Sequence, residues 1–388
     1  MFEKILSVAE SKRAQEWYRQ FFYITLIVVL VKRVIYSSLI GGLLPEWTEI
    51  VLDLLCYGLP LVLSCIKVII RKHSVPVFFC LLSATVIIYL NSSNATMLGL
   101  LVLIYSASGE DFDTICKVSL VALGASLASV VLFSQFGLIE NHVWMTERGP
   151  RYGFGFLYTS YLSLYIFNFS ALTAYHYRNK ATKIKAIVGV ILLILNYFVY
   201  LGTQTRANFF LTVAVIILVN IAEIIPRGKV NPLFEKIVGY IHFPLAVLSA
   251  FISASYDSSV AWMKTLNTAL SNRLAYIHSS LMDYGVLPFG RHVEMAVLKL
   301  NLDGTSAVTQ GVDNRAIDNA YMSVLILQGV LGFSLLLLLL TKIALKLIRE
   351  QNLPLLCILS LFSVYALVNP QLLQIQYNTF VLLPFAIL

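Results

Sequence analysis

About twelve runs of apolar residues, most of them long enough to enter a bilayer, occupy the larger part of this 388-residue chain. A crossing helix needs roughly 20 residues, since each contributes about 1.5 Å of rise and the hydrocarbon layer is about 30 Å thick. The runs lie near residues 21–40, 50–70, 75–90, 96–108, 118–137, 154–175, 186–201, 207–225, 237–255, 319–341, 353–370 and 372–388. Backbone groups in lipid find no water, so such runs close their own hydrogen bonds as helices. The expected fold class is an all-α polytopic integral membrane protein, with about 12 transmembrane helices in a single membrane domain over residues 1–388. Residues 96–108 are short enough for a broken or re-entrant helix and residues 371–388 for a tight hairpin, which leaves eleven to thirteen spans open.

Composition agrees. Hydrophobic residues make up 59% of the chain and charged ones 12%, with a mean hydropathy of +0.81, whereas soluble domains carry about 25% charged residues. The net charge of +8 is spread between apolar runs instead of forming one patch, which disfavours a nucleic-acid partner. Of the five cysteines, Cys56, Cys65, Cys80 and Cys357 sit inside apolar runs and read as small core residues, not a disulfide framework. The first nineteen residues are polar and charged, so the first span is expected to remain as an anchor and not to be cleaved as a signal peptide.

Basic residues set the orientation, because loops on the cytoplasmic side carry an excess of Lys and Arg. With the N-terminus inside, the tail, residues 67–72, Lys117 and residues 178–185, 226–236 and 342–350 hold eighteen of the 28 basic residues. The other side holds eight, and Lys32 and Arg33 lie within the first span, either facing the bundle interior or snorkelling. An even number of spans returns the C-terminus to the cytoplasm.

The eight external cations oppose this preference and need another reason. They are Arg148, Arg151, Arg206, Lys264, Arg273, Arg291, Lys299 and Arg315, so six are arginine, against six arginines and twelve lysines inside. Guanidinium groups grip phosphate oxygens through two parallel hydrogen bonds, where lysine acts as a point charge. The alternative is pairing with Glu140, Glu147, Asp257, Asp283, Glu294, Asp303, Asp313 and Asp318, or contact with lipid head groups.

Between the ninth and tenth spans, residues 256–318 form one large extracytoplasmic loop, far longer than an ordinary connection. Helical periodicity around residues 261–282 predicts a lid of amphipathic helices on the outer face. Walker-type loops, zinc-spaced cysteines, HExxH and nucleophile elbows are missing from the sequence. Asp303, Asp313 and Asp318 are too loosely spaced for a metal cluster. Asp111 and Asp113 stand one residue apart as in a metal-nucleotide pair, but no soluble nucleotide-binding domain adjoins them, and a solvated loop is the expectation.

Three local patterns occur in order: "RGPRYGFGFLYTSYLS" (148–163), "LGTQTRANFFL" (201–211) and "DNAYMSVLILQGVLGFSLLL" (318–337). With many spans and one large late loop, they resemble the O-antigen ligase/polymerase family, the polytopic enzymes that polymerise or transfer lipid-linked oligosaccharides. The resemblance covers most of the chain. It implies a glycan donor on a polyprenyl diphosphate, transfer on the outer side of the cytoplasmic membrane, no metal or other cofactor, and a flippase and a chain-length regulator as pathway partners. In this likeness Arg151 matches the arginine before the Gly-Phe segment, Arg206 that of the Ser/Thr-rich hairpin and, more loosely, Arg273 one in the large loop. Where ligases of the family carry His-Asn at the end of that loop, this chain has Asp318-Asn319, which inclines the expectation toward a polymerase of O-antigen, capsule or exopolysaccharide.

The chemistry stands beside the likeness. Displacing a sugar from a diphosphate puts negative charge on the leaving oxygen, and fixed guanidinium groups in a low-dielectric groove stabilise it. Arg151 and Arg206 are the first expected for that role, with Arg148, Arg273 and Arg315 as further diphosphate ligands. The acceptor hydroxyl needs a base, for which Asp318 or His278 is chemically adequate. Asp318 equally suits the N-cap of the following helix, His278 a packing role, and Tyr321 either a groove wall or an interfacial anchor. A transferase to another acceptor, and a flippase or secondary transporter with arginines lining an aqueous cavity, remain the alternatives.

Overall fold

The computed structural model describes residues 12–70, 75–146, 149–226, 228–293, 298–300, 306–308 and 317–388. Along the first half of the chain the elements are α1 (Lys12–Tyr36), α2 (Glu46–Ile70), α3 (Val75–Ser92), α4 (Thr96–Ser106), α5 (Phe112–Gln135), a hairpin of β1 (Val143–Thr146) and β2 (Gly149–Tyr152), and α6 (Tyr161–His176). The second half holds α7 (Thr182–Thr203), α8 (Arg206–Ile224), α9 (Pro232–Gly239), α10 (His242–Ala254), α11 (Ala261–Ala269), α12 (Arg273–Tyr284), a hairpin of β3 (Leu298–Leu300) and β4 (Ser306–Val308), α13 (Ala320–Leu327), α14 (Gly329–Arg349) and α15 (Leu353–Tyr365). Both hairpins are antiparallel, with Trp144 opposite Arg151 in the first.

Among the described residues six helices are long and apolar enough to cross a membrane: α2, α3, α5, α7, α8 and α14. The bent pair α9–α10, with 41° between its halves, makes up to seven if it is one span. Their outward faces carry large apolar side chains such as Leu54, Leu90, Phe198, Phe210 and Val247. An apolar surface of that extent on a helical bundle is matched by lipid, and the protein is a helical, membrane-embedded one.

At the centre stands α6, buried on nearly every side from Leu162 to Tyr175 and packed against α5, α7, α8 and α15. An all-round apolar helix of this kind belongs in the interior. Polar residues fix the helix starts: Asp111 accepts from the Thr114 N–H and opens α5, Asn231 opens α9 just before Pro232, and Asn352 opens α15 just before Leu353 and Pro354. These caps satisfy donors that a helix N-terminus leaves open. Asp111 is thus a cap, while Asp113 forms two hydrogen bonds to the Arg178 guanidinium at 2.6 and 2.8 Å. The two carboxylates serve different structural partners.

Two apolar runs depart from a single helix. The run expected over residues 319–341 breaks at Gly329, whose φ of +73° suits glycine and few other residues. Into the break fits the segment Leu287–Arg291: the Val330 and Leu331 N–H groups donate to the carbonyls of Leu287 and Pro288, and the Arg291 N–H donates to that of Leu327. A Cβ on Gly329 would stand 2.2 Å from the Gly290 nitrogen, so glycine is required where these backbones meet. Residues 372–388 form no α-helix; they make turns and a short 3-10 stretch at Thr379–Leu382. Pro370, Pro384 and the polar Gln371, Gln374, Gln376 and Asn378 interrupt the pattern. Buried irregular backbone has to find protein partners, and here Asn168 of α6 supplies them. Its amide donates to the Gln376 carbonyl and Thr379 Oγ1, each at 3.1 Å, and its oxygen accepts the Thr379 N–H.

Successive passages run between two ends of the bundle. One end gathers Lys67, Glu110, Asp113, Arg178, Lys346 and Ile387; Lys67 Nζ lies 2.6 Å from Glu110 Oε1, and the Ile387 N–H donates to the Glu110 carbonyl. The other gathers the turn after α1, the first hairpin, the α7–α8 turn, α12, and the start of α13 beside the end of α15. There the Leu39 N–H donates to the Gly155 carbonyl and the Ala320 N–H to that of Ala366.

Candidate functional site

The second end carries Arg151, Arg206 and Arg273. Two of the sequence patterns meet there: Arg151 on β2 donates from Nε to the Thr203 carbonyl at 2.7 Å, and the Gln204 amide donates to the Pro150 carbonyl at 3.2 Å. Gln204 ends α7 with a φ of +51°, which turns the chain sharply into α8. Phe154, also left-handed at +52°, lays its ring on Gly202, where an added Cβ would come within 2.3 Å of it. Gly202 therefore admits the "RYGF" loop onto the "GTQTR" turn, and Arg151 clamps the two.

Arg206 opens α8 and is exposed. Among the described residues it has no carboxylate within ion-pair distance. Two residues farther along, Asn208 points to the other side of the helix, since positions i and i+2 lie about 200° apart. It is buried and donates to Ser163 Oγ of α6 at 2.5 Å. The α8 terminus thus presents its charge outward, on the side of the exposed Phe210, and its amide inward.

Arg273 and Asp318 meet across the long loop. Arg273 Nε lies 2.9 Å from Asp318 Oδ2, and both side chains are about one-third exposed, at 35% and 32%. The pair lies beside the end of α15, to which the start of α13 is joined by the Ala320 N–H donating to the Ala366 carbonyl; there the buried Tyr365 hydroxyl accepts from the Asn369 amide at 3.2 Å. An ion pair about one-third exposed therefore sits at the same end of the bundle as the buried Asn208, Tyr365 and Asn369.

The expected cap at Asp318 moves by one residue. Asn319 caps α13, accepting the Met322 N–H at 3.0 Å, while its amide donates to Ser249 Oγ and the Leu367 carbonyl. Asp318 is thereby held at the protein surface beside Arg273. Tyr321 neither lines a groove nor anchors at an interface: it is fully buried, and its hydroxyl donates to the Ser363 carbonyl at 3.0 Å. His278 lies away from the ion pair on the α10 side of α12. Its Nδ1 is 2.8 Å from the Ser253 carbonyl, which can only accept, so Nδ1 carries the proton; the ring packs against Tyr256. Arg148 and Arg315 lie outside the described residues.

Beneath the Arg151 clamp lies a cavity of about 360 Å³, open to the lipid side and walled by α5, α6 and α7. Leu127, Val131, Ile166 and Phe198 are among its apolar walls, and Phe154 closes it toward the turn. The sequence reading missed Asn208, Tyr365 and Asn369, although an asparagine inside an apolar run is itself a signal, being costly in lipid unless bonded. It also missed the assembly around the buried Tyr165, which joins Ser37 Oγ at 2.7 Å and stacks near Tyr377. Lys32 pairs with Asp53 at 2.7 Å and Arg33 with the Tyr57 hydroxyl at 2.9 Å, so both first-span cations face the bundle. No protein-family model, curated protein or solved structure matches the chain at a significant level.

Proposed function

We propose that the protein is a polysaccharide polymerase of the O-antigen ligase/polymerase kind, a metal-independent glycosyltransferase. It transfers a growing glycan from polyprenyl diphosphate to a new lipid-linked repeat unit. The observation that carries this reading is the Arg273–Asp318 pair, held beside the end of α15 by the Ala320 N–H bond to the Ala366 carbonyl. It shares one end of a membrane bundle with Arg151 and Arg206, and an apolar groove opens to lipid beneath the turn that Arg151 clamps.

In this reading the polyprenyl chain lies in the α5–α6–α7 groove and the diphosphate rests at Arg151 and Arg206. An acceptor hydroxyl attacks the anomeric carbon of the donor sugar; the new C–O bond forms as the bond to the diphosphate breaks. The diphosphate leaves with that electron pair, its charge stabilised by the guanidinium groups, and the hydroxyl proton passes to the Asp318 carboxylate. An incoming diphosphate competes with Asp318 for Arg273, so donor binding draws Arg273 toward the leaving group and frees the carboxylate to accept. The pair thereby couples the two halves of the reaction.

We further propose twelve passages through the cell membrane with both termini cytoplasmic, in which α1, α4, α6 and α15 complete the set and residues 372–388 return without a helix. The site then faces outward, α11 and α12 belong to its lid, and a flippase and a chain-length regulator act beside it. The test is chain length: Arg273→Ala and Asp318→Asn proteins should insert at normal levels yet leave single repeat units unjoined. Normal polymer from both would overturn the assignment.

A further inference from the structure

A different lipid-facing feature lies at the opposite end of the bundle. Along α14, Leu335, Leu338 and Lys342 follow one another on one wall of a cavity of about 210 Å³; Val77 and Leu81 of α3 and Leu101 of α4 stand across it. Leu338 and Val77 are 63% and 51% exposed, so the groove opens outward on the surface that meets hydrocarbon.

Lys342 closes the groove with its Nζ 3.3 Å from the centroid of the Phe385 ring. Among the described residues no carboxylate lies within ion-pair distance of it. One turn on, Lys346 donates to the carbonyls of Leu383 and Ala386. Lys342 stands seven residues before the helix end at Arg349, about 10 Å by the helical rise. A cation on an apolar, outward-facing wall is costly without a counter-charge. The face of one phenylalanine offsets part of that cost but leaves the charge unneutralised.

We propose that this groove is a binding site for one anionic phospholipid of the leaflet facing the α14 C-terminus, its acyl chain along Leu335 and Leu338 and its phosphate on Lys342. The charge that the protein leaves unpaired selects the head group, and the apolar walls select a chain. The site is separate from the transfer site and does not depend on the polymerase reading.

The test is lipid retention by the full-length protein in nanodiscs of phosphatidylglycerol and phosphatidylcholine, read by native mass spectrometry. Wild type should keep phosphatidylglycerol in preference to phosphatidylcholine. Lys342→Gln should lower that preference about fivefold, the worth of one lysine near an anionic surface, and Lys342→Arg should keep it. Leu338→Trp, which fills the groove, should lose the bound lipid of either kind, and inorganic phosphate should not displace it from wild type. An unchanged preference in Lys342→Gln, or equal retention of the two lipids by wild type, would overturn the proposal and leave Lys342 as a snorkelling side chain.

Discussion

Arg273 Nε and Asp318 Oδ2 lie 2.9 Å apart although 45 positions separate the residues. The contact spans the long segment between α12 and α13 and fixes both groups beside the end of α15. Partly exposed ion pairs contribute at most about 1 kcal/mol to stability, so this pair is a weak staple for the fold. Arg273→Ala and Asp318→Asn should melt within a few degrees of wild type yet each lower transfer by on the order of a hundredfold. The double variant should lose much less than the product of the single losses, since the two groups act as a unit. Transfer assays on the four proteins of that cycle check this.

Asn319 and Asp318 are adjacent but have different work. Asn319 caps α13 and is buried against Ser249 and Leu367, so Asn319→Ala should cost about 1 to 3 kcal/mol from the lost cap and the carbonyl left unpaired. Asp318→Asn leaves that cap intact. Thermal melting in detergent separates the two: a large drop for Asn319→Ala and little change for Asp318→Asn.

Gly202 makes room for the Phe154 ring. Gly202→Ala should force the ring aside, lowering stability by roughly 1 to 3 kcal/mol and loosening the Arg151 contact to Thr203 with a parallel fall in transfer. Adding Phe154→Leu to Gly202→Ala should recover part of both losses. Melting temperature and activity of the single and double variants measure the recovery.

Lys67 and Glu110 form a buried pair, 8% and 3% exposed, at the opposite end. Glu110→Gln takes the carboxylate from between Lys67 and Arg19, whose Nε lies 3.4 Å from its other oxygen, so it should destabilise by about 3 to 5 kcal/mol. Replacing both by apolar residues, Lys67→Met with Glu110→Leu, should restore most of that stability. The comparison of the single with the double variant in a melting experiment is the check.

Much of the helix pattern was legible because period and length are local properties: α2, α5, α7 and α8 fall on runs set by unbroken apolar sequence. The break at Gly329 was not, since it is made by the distant segment Leu287–Arg291 docking on it. Residues 372–388 are apolar enough to read as a span, but the backbone at Gln376 and Thr379 finds its partner only in the assembled bundle, in Asn168. In the site, the contact of Arg151 with the α7–α8 turn followed two visible motifs. The Arg273–Asp318 pair joined residues that the sequence had named for separate roles. Asn208 and Tyr365 carried only the weak signal of polarity inside apolar runs, and what they do depends on the packing of α6, α8 and α15.

The central claim is bond formation between lipid-linked glycans. The most direct measurement is to place purified protein in liposomes with polyprenyl-diphosphate-linked repeat units, without any ion gradient, and to resolve glycan length over time. Wild-type protein should lengthen the glycans and release polyprenyl diphosphate, and Arg206→Ala and Asp318→Asn should leave the repeat units single. Translocation of the units across the bilayer with no new glycosidic bond, or transfer only to an acceptor other than a repeat unit, would contradict the account.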